Sequence, residues 1–459
     1  MIPPPYLTSD PKSFGYPTVH KRWPIIVSDA IKDVEATINA NQAEAIKNLG
    51  KIIVGKLQKL LQDFKDDAQV RPFTEQEIEL NGDLKVYNEQ LNAFPPSITW
   101  QDGLWLFLEC YLYQYMNNFF LIESVEVPFW KTFDVFANLK WLSFKSSEPG
   151  VMELAHHYHS LSSQLNLSGA TGATTDAKKA IFSEFVEIAL WGNATDLSLL
   201  AGTTSLEDIQ SVQGKNARTA NQSKILINDT EKAWNRLLST ADAGDGAVSE
   251  STGVHIVLDN AGFELYTDLV FSLILLDLGI TNKVTLHAKK LPWFVSDVLI
   301  ADLSHLLSQI VDPSFFCLNE SVQYVHKIVS GYLANGKLSI TTSSYWTRPD
   351  AFWSIPSCAE ASLKSQLEAA QLVIFKGDLN YRKLTGDVSW DPTTLFATAL
   401  QQLGETKIPI LALRTCKADV VVGLQPGTFE RVAKEYKAMG DGLWVSSGKW
   451  AVISYHKGM

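Results

Sequence analysis

Residues 255–265 read HIVLDNAGFEL. An apolar, partly β-branched run ends abruptly in Asp259 and Asn260. Two small residues follow, and from Phe263 a long apolar stretch begins. A buried strand running into a helix is the building unit of an α/β sheet. The unit recurs downstream. KVTLHA (283–288), LVIFKG (372–377), IPILALR (408–414) and WAVISY (450–455) are short apolar runs separated by helical stretches. This alternation predicts a parallel sheet with helices on both faces. Asp259 and Asn260 then have two readings: they cap the next helix, or they hold something beyond the sheet.

Upstream the patterns are helical. RWPIIVSDAIKDVEATI (22–38) and EAIKNLGKIIVGKLQKLLQDFKDD (44–67) space their apolar residues three and four apart. TWQDGLWLFLECYLYQYMNNFFLIES (99–124) is apolar almost all round and predicts a central helix of a bundle. Residues 1–17 read as an extended arm. NLSGATGATTDA (166–177) and ADAGDGAVSESTG (241–253) read as loops, with Asp176 and Asp229 as caps of the helices that follow. No internal repeat is present.

The chain has 459 residues and a formal net charge of -11. That balance disfavours nucleic acid and anionic membranes as partners, because both demand a basic surface. A small phosphorylated substrate is compatible with it, since a basic pocket fits within an acidic protein. The four cysteines, Cys110, Cys317, Cys358 and Cys416, show no CxxC spacing, which fits a reducing compartment. The N-terminus lacks the pattern of a secretory signal, and no apolar run reaches membrane-spanning length. A cytoplasmic or nuclear location is expected. The sequence sets no oligomeric state, and a monomer is compatible with it.

In open α/β sheets, ligands bind beyond the carboxyl ends of the strands. The residues there are of two kinds. Asp259, Asn260, Asp297, Asp378 and Asn380 offer oxygens; Lys289, Lys290, Arg382, Lys383, Arg414 and Lys417 offer cations. Oxygen ligands suit Mg²⁺ or Mn²⁺, which keeps waters and adds substrate phosphate oxygens. Neighbouring cations take the remaining phosphate oxygens. Together they are what metal-assisted phosphoryl hydrolysis needs. Each alone has a plain structural reading: Asp259, Asn260 and Glu264 as helix-start residues, Arg382 and Lys383 as solvated surface. Their concentration at several strand ends favours function. HHYH (156–159) places His156 and His159 one helical turn apart, half of a zinc site with no second half visible. No P-loop, nucleophile elbow or dinucleotide fingerprint occurs.

Four segments resemble the damage-control phosphatases, a metal-dependent family: VLDNAGFELYTDL (257–269), LPWFVSDV (291–298), VIFKGDLNYRKLTGD (373–387) and LRTCKAD (413–419). RTCK (414–417) is similar to the RTxK motif of the third subfamily, which includes sugar-phosphate phosphatases and a protein also described as an acidic residue methyltransferase. RWPII (22–26) and EFVEIALWGNATDLSLL (184–200) extend the resemblance over nearly the whole chain. The resemblance implies a helical N-terminal domain, here placed at 1–200, and a Rossmann-like α/β/α phosphatase domain at 201–459 with a mostly parallel sheet. It implies a divalent metal, Mn²⁺ or alternatively Co²⁺, Ni²⁺ or Mg²⁺, on Asp259, Asn260 and Asp297. Lys417 joins these three as catalytic. Substrate contacts are expected from Asp259, Asn260, Glu264, Asp378, Leu379, Asn380, Tyr381, Arg382, Arg414 and Lys417. The implied substrates are phosphosugars such as fructose 1-phosphate and fructose 6-phosphate.

The expected chemistry is hydrolysis of a phosphate monoester. Lys417, with Arg414, neutralises the transferring group. The nucleophile is Asp259 or water; a carboxylate holding a metal is the poorer nucleophile, which favours water. The rival reading is an S-adenosylmethionine-dependent carboxyl methyltransferase, with Glu264 and Asp297 on the cofactor. Against it stands the lack of a Gly-rich loop after the first strand.

Overall fold

This computed structural model describes residues 1–94, 98–168, 174–192, 222–241, 252–438 and 443–459. The loop expected at 166–177 is shorter than read: residues 166–168 end the Glu148–Ser168 helix, 175–177 begin the Thr175–Gly192 helix, and 169–173 lie outside the described residues. The loop expected at 241–253 lies largely outside the described residues, and the division expected after residue 200 lies wholly outside them.

Among the described residues, seven strands form one sheet: β1 (Ile225–Asn228), β2 (Val254–Val257), β3 (Val284–Ala288), β4 (Leu338–Thr342), β5 (Leu372–Lys376), β6 (Ile410–Thr415) and β7 (Ala451–His456). Their order is β1-β7-β6-β5-β2-β3-β4. Every neighbouring pair is parallel except β6 and β7. The mixed α/β architecture and mostly parallel sheet agree with the sequence. The expected run at 450–455 is a strand, but it runs antiparallel to β6. Two strands were not expected. β1 and β4 are short, mostly half-buried edge strands of four and five residues.

The interior strands are buried on both faces, as all-apolar runs require. Val254, Ile256, Leu258, Leu372 and Ile374 face one apolar core, shared with the Phe263–Asp277, Glu320–Ala334 and Thr175–Gly192 helices. Val257, Val373, Phe375, Ile410 and Ala412 face a second core on the opposite side. The result is a three-layer α/β/α body.

A third core lies within the N-terminal helices, built by Trp23–Ala40, Glu44–Lys65 and Trp105–Glu123. Leu291, Trp293, Phe294, Val295, Leu379 and Ala418, all from segments following strands, join this same core. The helical part thus grips the loops at the carboxyl edge of the sheet. The N-terminal arm runs over this junction, with bridges from Pro5 to Val388 and from Leu7 to Leu104.

Local expectations fared unevenly. The Thr175–Gly192 helix is capped by Thr174, whose hydroxyl accepts from the Ala177 N–H, rather than by Asp176. Asp229 stands at the start of the Thr230–Ala241 helix, but its carboxylate accepts from Tyr455 N on β7. His159 is engaged by Ser321 and stacks on Tyr324, so HHYH serves packing. Among the described residues, no helix is long and apolar enough to cross a membrane.

Candidate active site at the β2 and β5 strand ends

Chain order reverses between β2 and β5: from β2 the sheet grows through β3 to β4 on one side and through β5 to β6 on the other. Such a switch point opens a crevice at the carboxyl ends, where helix starts face the gap. A cavity lies there. Its lining is Asp259 after β2, Phe294 and Asp297 after β3, Asp378, Leu379 and Arg382 after β5, and Lys417 after β6. Arg22, Trp105 and Glu109 of the helical part complete it.

Backbone pairing brings the two acidic segments together. Ala261 N donates to Ser296 O at 2.7 Å and Val298 N to Asp259 O at 2.8 Å, so Asn260 and Asp297 pair as in an antiparallel ladder. The turn before Asp297 is strained: Phe294 has φ 45° and Val295, a β-branched residue, φ 70°. Burial in the helical core holds it, with Phe294 stacked on Tyr113 at 4.9 Å. Lys289 is buried against Asp297 at 3.2 Å and donates to Leu258 O at 2.7 Å.

Asn260 is oriented by its amide nitrogen. Nδ2 donates to Asp259 Oδ2 at 3.0 Å and to Glu264 Oε2 at 2.7 Å, and its carbonyl oxygen accepts from the Ser296 hydroxyl. Glu264 in turn pairs with Lys376 at 3.0 Å, and Lys376 with Asp268 at 2.7 Å, all fully buried. Burial, which outweighs the attraction of Lys376, pushes the Asp268 carboxyl up to about 7.

Gly377 opens the Gly377–Thr385 helix with φ +83°, and a Cβ there would stand 1.8 Å from Asp259 Oδ2. Only glycine lets this helix start approach the carboxylate. Asp378 in its first turn accepts from Arg414 Nε at 2.7 Å and from Lys417 N at 3.0 Å. Arg414 also donates to the carbonyls of Ala418 and Val420, and its guanidinium lies over Tyr381 at 4.4 Å. It therefore folds the loop that carries Lys417. Arg382 is forked onto Asp387 at 3.1 and 2.8 Å, pairs with Glu109 at 2.7 Å, and covers the Trp105 ring at 3.8 Å.

Six of the expected residues therefore line the cavity: Asp259, Asp297, Asp378, Leu379, Arg382 and Lys417. Asn260, Glu264, Asn380, Tyr381 and Arg414 stand outside that lining and hold the ones that do. Asn380 Nδ2 donates to the carbonyls of Lys376, Val257 and Leu258, tying β2 to β5. Among the described residues, no three His, Cys, Asp or Glu side chains form a metal-type group.

The family model of the damage-control phosphatase ARMT1-like domain matches residues 18–432. The chain belongs to that family. Curated relatives named "Damage-control phosphatase ARMT1" agree with this over their whole length. Those of Xenopus tropicalis, Macaca fascicularis and Danio rerio are 32%, 31% and 30% identical, covering 96%, 99% and 99% of this chain and 96%, 99% and 97% of theirs. A solved structure of a DUF89 family protein from Pyrococcus horikoshii aligns with 95% of this chain and 99% of its own at 14% identity, with a TM-score of 0.38. For this damage-control phosphatase, sequence reasoning missed Arg22, Trp105, Glu109 and Phe294 as cavity residues. One signal was available: Glu109 is the single charge between Trp105 and Ile122 in an otherwise apolar and polar-neutral helix.

Proposed function

We propose that this chain hydrolyses phosphate monoesters of small metabolites, phosphosugars such as fructose 1-phosphate and fructose 6-phosphate, with the help of a divalent metal. The observation that carries the reading is one cavity, at the switch point of the sheet, lined by Asp259 and Asp297 together with Lys417.

The side chains fit a hard cation. Asp259 and Asp297 offer carboxylate oxygens, and Asn260 offers an amide oxygen whose orientation is fixed from the nitrogen side. Gly377 leaves the Asp259 carboxylate the room it occupies. Two carboxylates and an amide are a sparse set, as suits Mn²⁺ or Mg²⁺, which fills its remaining positions with water and phosphate oxygens. Charge favours the same reading. Four carboxylates (Glu109, Asp259, Asp297, Asp378) and three cations (Arg22, Arg382, Lys417) line the cavity. A phosphate ester adds about −1.5 to −2 near neutral pH. Without a further cation, the site repels its substrate.

When bound, the metal supplies Lewis acidity toward a phosphoryl oxygen. The protein does the rest. The Lys417 ammonium takes another phosphoryl oxygen, and its place is set by Arg414 through the 415–420 loop. The start of the Gly377–Thr385 helix presents backbone N–H groups and a positive dipole end toward the same space. Asp378 is held in place by Arg414 and by the Lys417 N–H, so its carboxylate is positioned to receive hydroxyls. Lys289 holds Asp297, and Glu264 holds Asn260.

The test is phosphate release by the purified protein from phosphosugars and other phosphometabolites, with added Mn²⁺ and with chelator. Metal-dependent release is expected. Methyl transfer to carboxylates from labelled S-adenosylmethionine, without phosphate release, would overturn the reading.

A further inference from the structure

The cavity has two chemically distinct ends. One, at the strand ends, holds Asp259, Asp297 and Lys417. The other is a wall from the helical part, Arg22, Trp105 and Glu109, joined by Arg382. The proposed phosphoryl chemistry uses the first end and leaves the wall without a task.

Glu109 is the residue of that wall that packing alone does not explain. It is 5% exposed on a helix that is otherwise uncharged around it. Its Oε2 accepts from Arg382 at 2.7 Å. A purely structural reading makes Glu109 the counter-ion of Arg382. Arg382, however, already carries a bidentate carboxylate in Asp387, which satisfies its charge. A second buried carboxylate on the same guanidinium is a surplus, and buried charges without matched partners are costly. Its Oε1 has no protein hydrogen-bond partner among the described residues.

We propose that Glu109 is a specificity-determining residue that accepts hydrogen bonds from hydroxyl groups on the non-phosphate end of the substrate. An ionised carboxylate accepts only, so its partner must donate. An ammonium-bearing substrate is disfavoured by Arg22 and Arg382 on the same wall. A hydroxyl donates to Glu109 and accepts from a neighbouring guanidinium with one atom, which suits this pairing of charges. Arg382, clamped by Asp387 and by the Trp105 ring, holds Glu109 in one orientation, so little freedom is lost on binding. The substrate class is therefore phosphorylated polyols and sugars, in preference to phosphates of apolar alcohols. This rests on the phosphatase reading above.

The experiment compares the Mn²⁺-loaded wild type with Glu109→Gln, on fructose 1-phosphate and on p-nitrophenyl phosphate, whose leaving group has no further hydroxyl. The ratio of the two kcat/KM values is expected to fall at least about tenfold in the variant, carried mainly by KM for the sugar. An unchanged ratio overturns the inference, whatever happens to the absolute rates. If Glu109→Gln does not fold, the wild type alone decides it across fructose, glycerol and propyl phosphates: kcat/KM should fall with each loss of hydroxyls, and a flat series overturns the inference. A wild type that releases phosphate from none of these overturns the phosphatase reading itself, and this inference with it.

Discussion

Arg414 and Asp378 meet at 2.7 Å, Nε to Oδ1, and the same Oδ1 accepts from Lys417 N. One carboxylate thus ties the helix after β5 to the loop after β6. Arg414 is fully buried and Asp378 nearly so, so neither is stable there without the other. Removing one partner of a buried pair costs roughly 3–5 kcal/mol. Arg414→Gln is expected to lose stability on that scale in urea unfolding, and to lose most phosphate release because the Lys417 loop is no longer held. A variant within about 1 kcal/mol of wild type, below the usual cost of a broken buried pair, would show that Arg414 does not organise the site.

Lys417→Ala separates the ammonium from this scaffold. The backbone N–H that Asp378 accepts is kept, so the fold of the loop should survive. A lost charge-assisted contact to phosphate is worth about 1.5–3 kcal/mol. Phosphosugar kcat/KM should fall by at least about tenfold, while Mn²⁺ affinity changes little, because an ammonium is not a ligand. Normal kinetics would remove Lys417 from the site.

Gly377→Ala places a methyl group where the Asp259 carboxylate stands and forces φ +83° on a residue with a Cβ. The backbone strain alone costs about 1–3 kcal/mol. Gly279 has φ +65° with nothing within 4 Å of an added Cβ, so Gly279→Ala carries strain without the clash. Both variants should lose stability. Only Gly377→Ala should lose phosphate release, by at least about tenfold. Equal activities would mean that Asp259 does not need that space.

Stability should fall on the acid side through a buried pair of histidines. His255 Nδ1 and His287 Nε2 lie 2.8 Å apart between β2 and β3. Burial, then Lys283, pushes His255 down to about 4. Burial, His255 and Lys289 push His287 well below its ordinary value. In the unfolded chain both return to about 6.5, so below that pH the unfolded state binds protons that the folded state refuses. Stability is then intact above about pH 6.5 and falls as pH drops toward 4, by about 3 kcal/mol for His255 alone. Urea unfolding at pH 7, 5 and 4 measures it. His255→Gln should flatten the slope; an unchanged slope would assign the acid loss to other groups.

The legible parts of the fold were those with two-sided burial. β2, β3, β5 and β6 read as continuous apolar runs, and the acids and cations that follow them were visible because the sheet must present its strand ends to the crevice. β1 and β4 were not, because strands of four and five residues are too short for their patterns, Ile225 to Ile227 in one and Leu338 and Ile340 in the other, to stand out from a loop. The direction of β7 was not either, since direction follows from connectivity and leaves no periodic trace. At the site, Asp259, Asp297 and Lys417 were legible from position. The supporting roles of Asn380, Arg414 and Glu264 depend on which way each side chain turns. The helical wall was hidden because Arg22 and Glu109 reach the cavity from sequence 150 or more residues away, brought there by packing of Phe294, Val295 and Leu379 into the helical core.

Asp259, Asn260 and Asp297 are expected to hold a divalent metal on which phosphate release depends. The most direct measurement is titration of chelator-treated protein with Mn²⁺, following metal binding and phosphate release from fructose 1-phosphate together, for the wild type and Asp297→Asn. Asparagine keeps the shape beside Lys289 while removing the charge. Wild-type release is expected to vanish on chelation and to return in step with bound Mn²⁺, and Asp297→Asn is expected to bind Mn²⁺ at least about tenfold more weakly and to recover little release. Full release in chelator, or an Asp297→Asn curve that overlays the wild type, would contradict it.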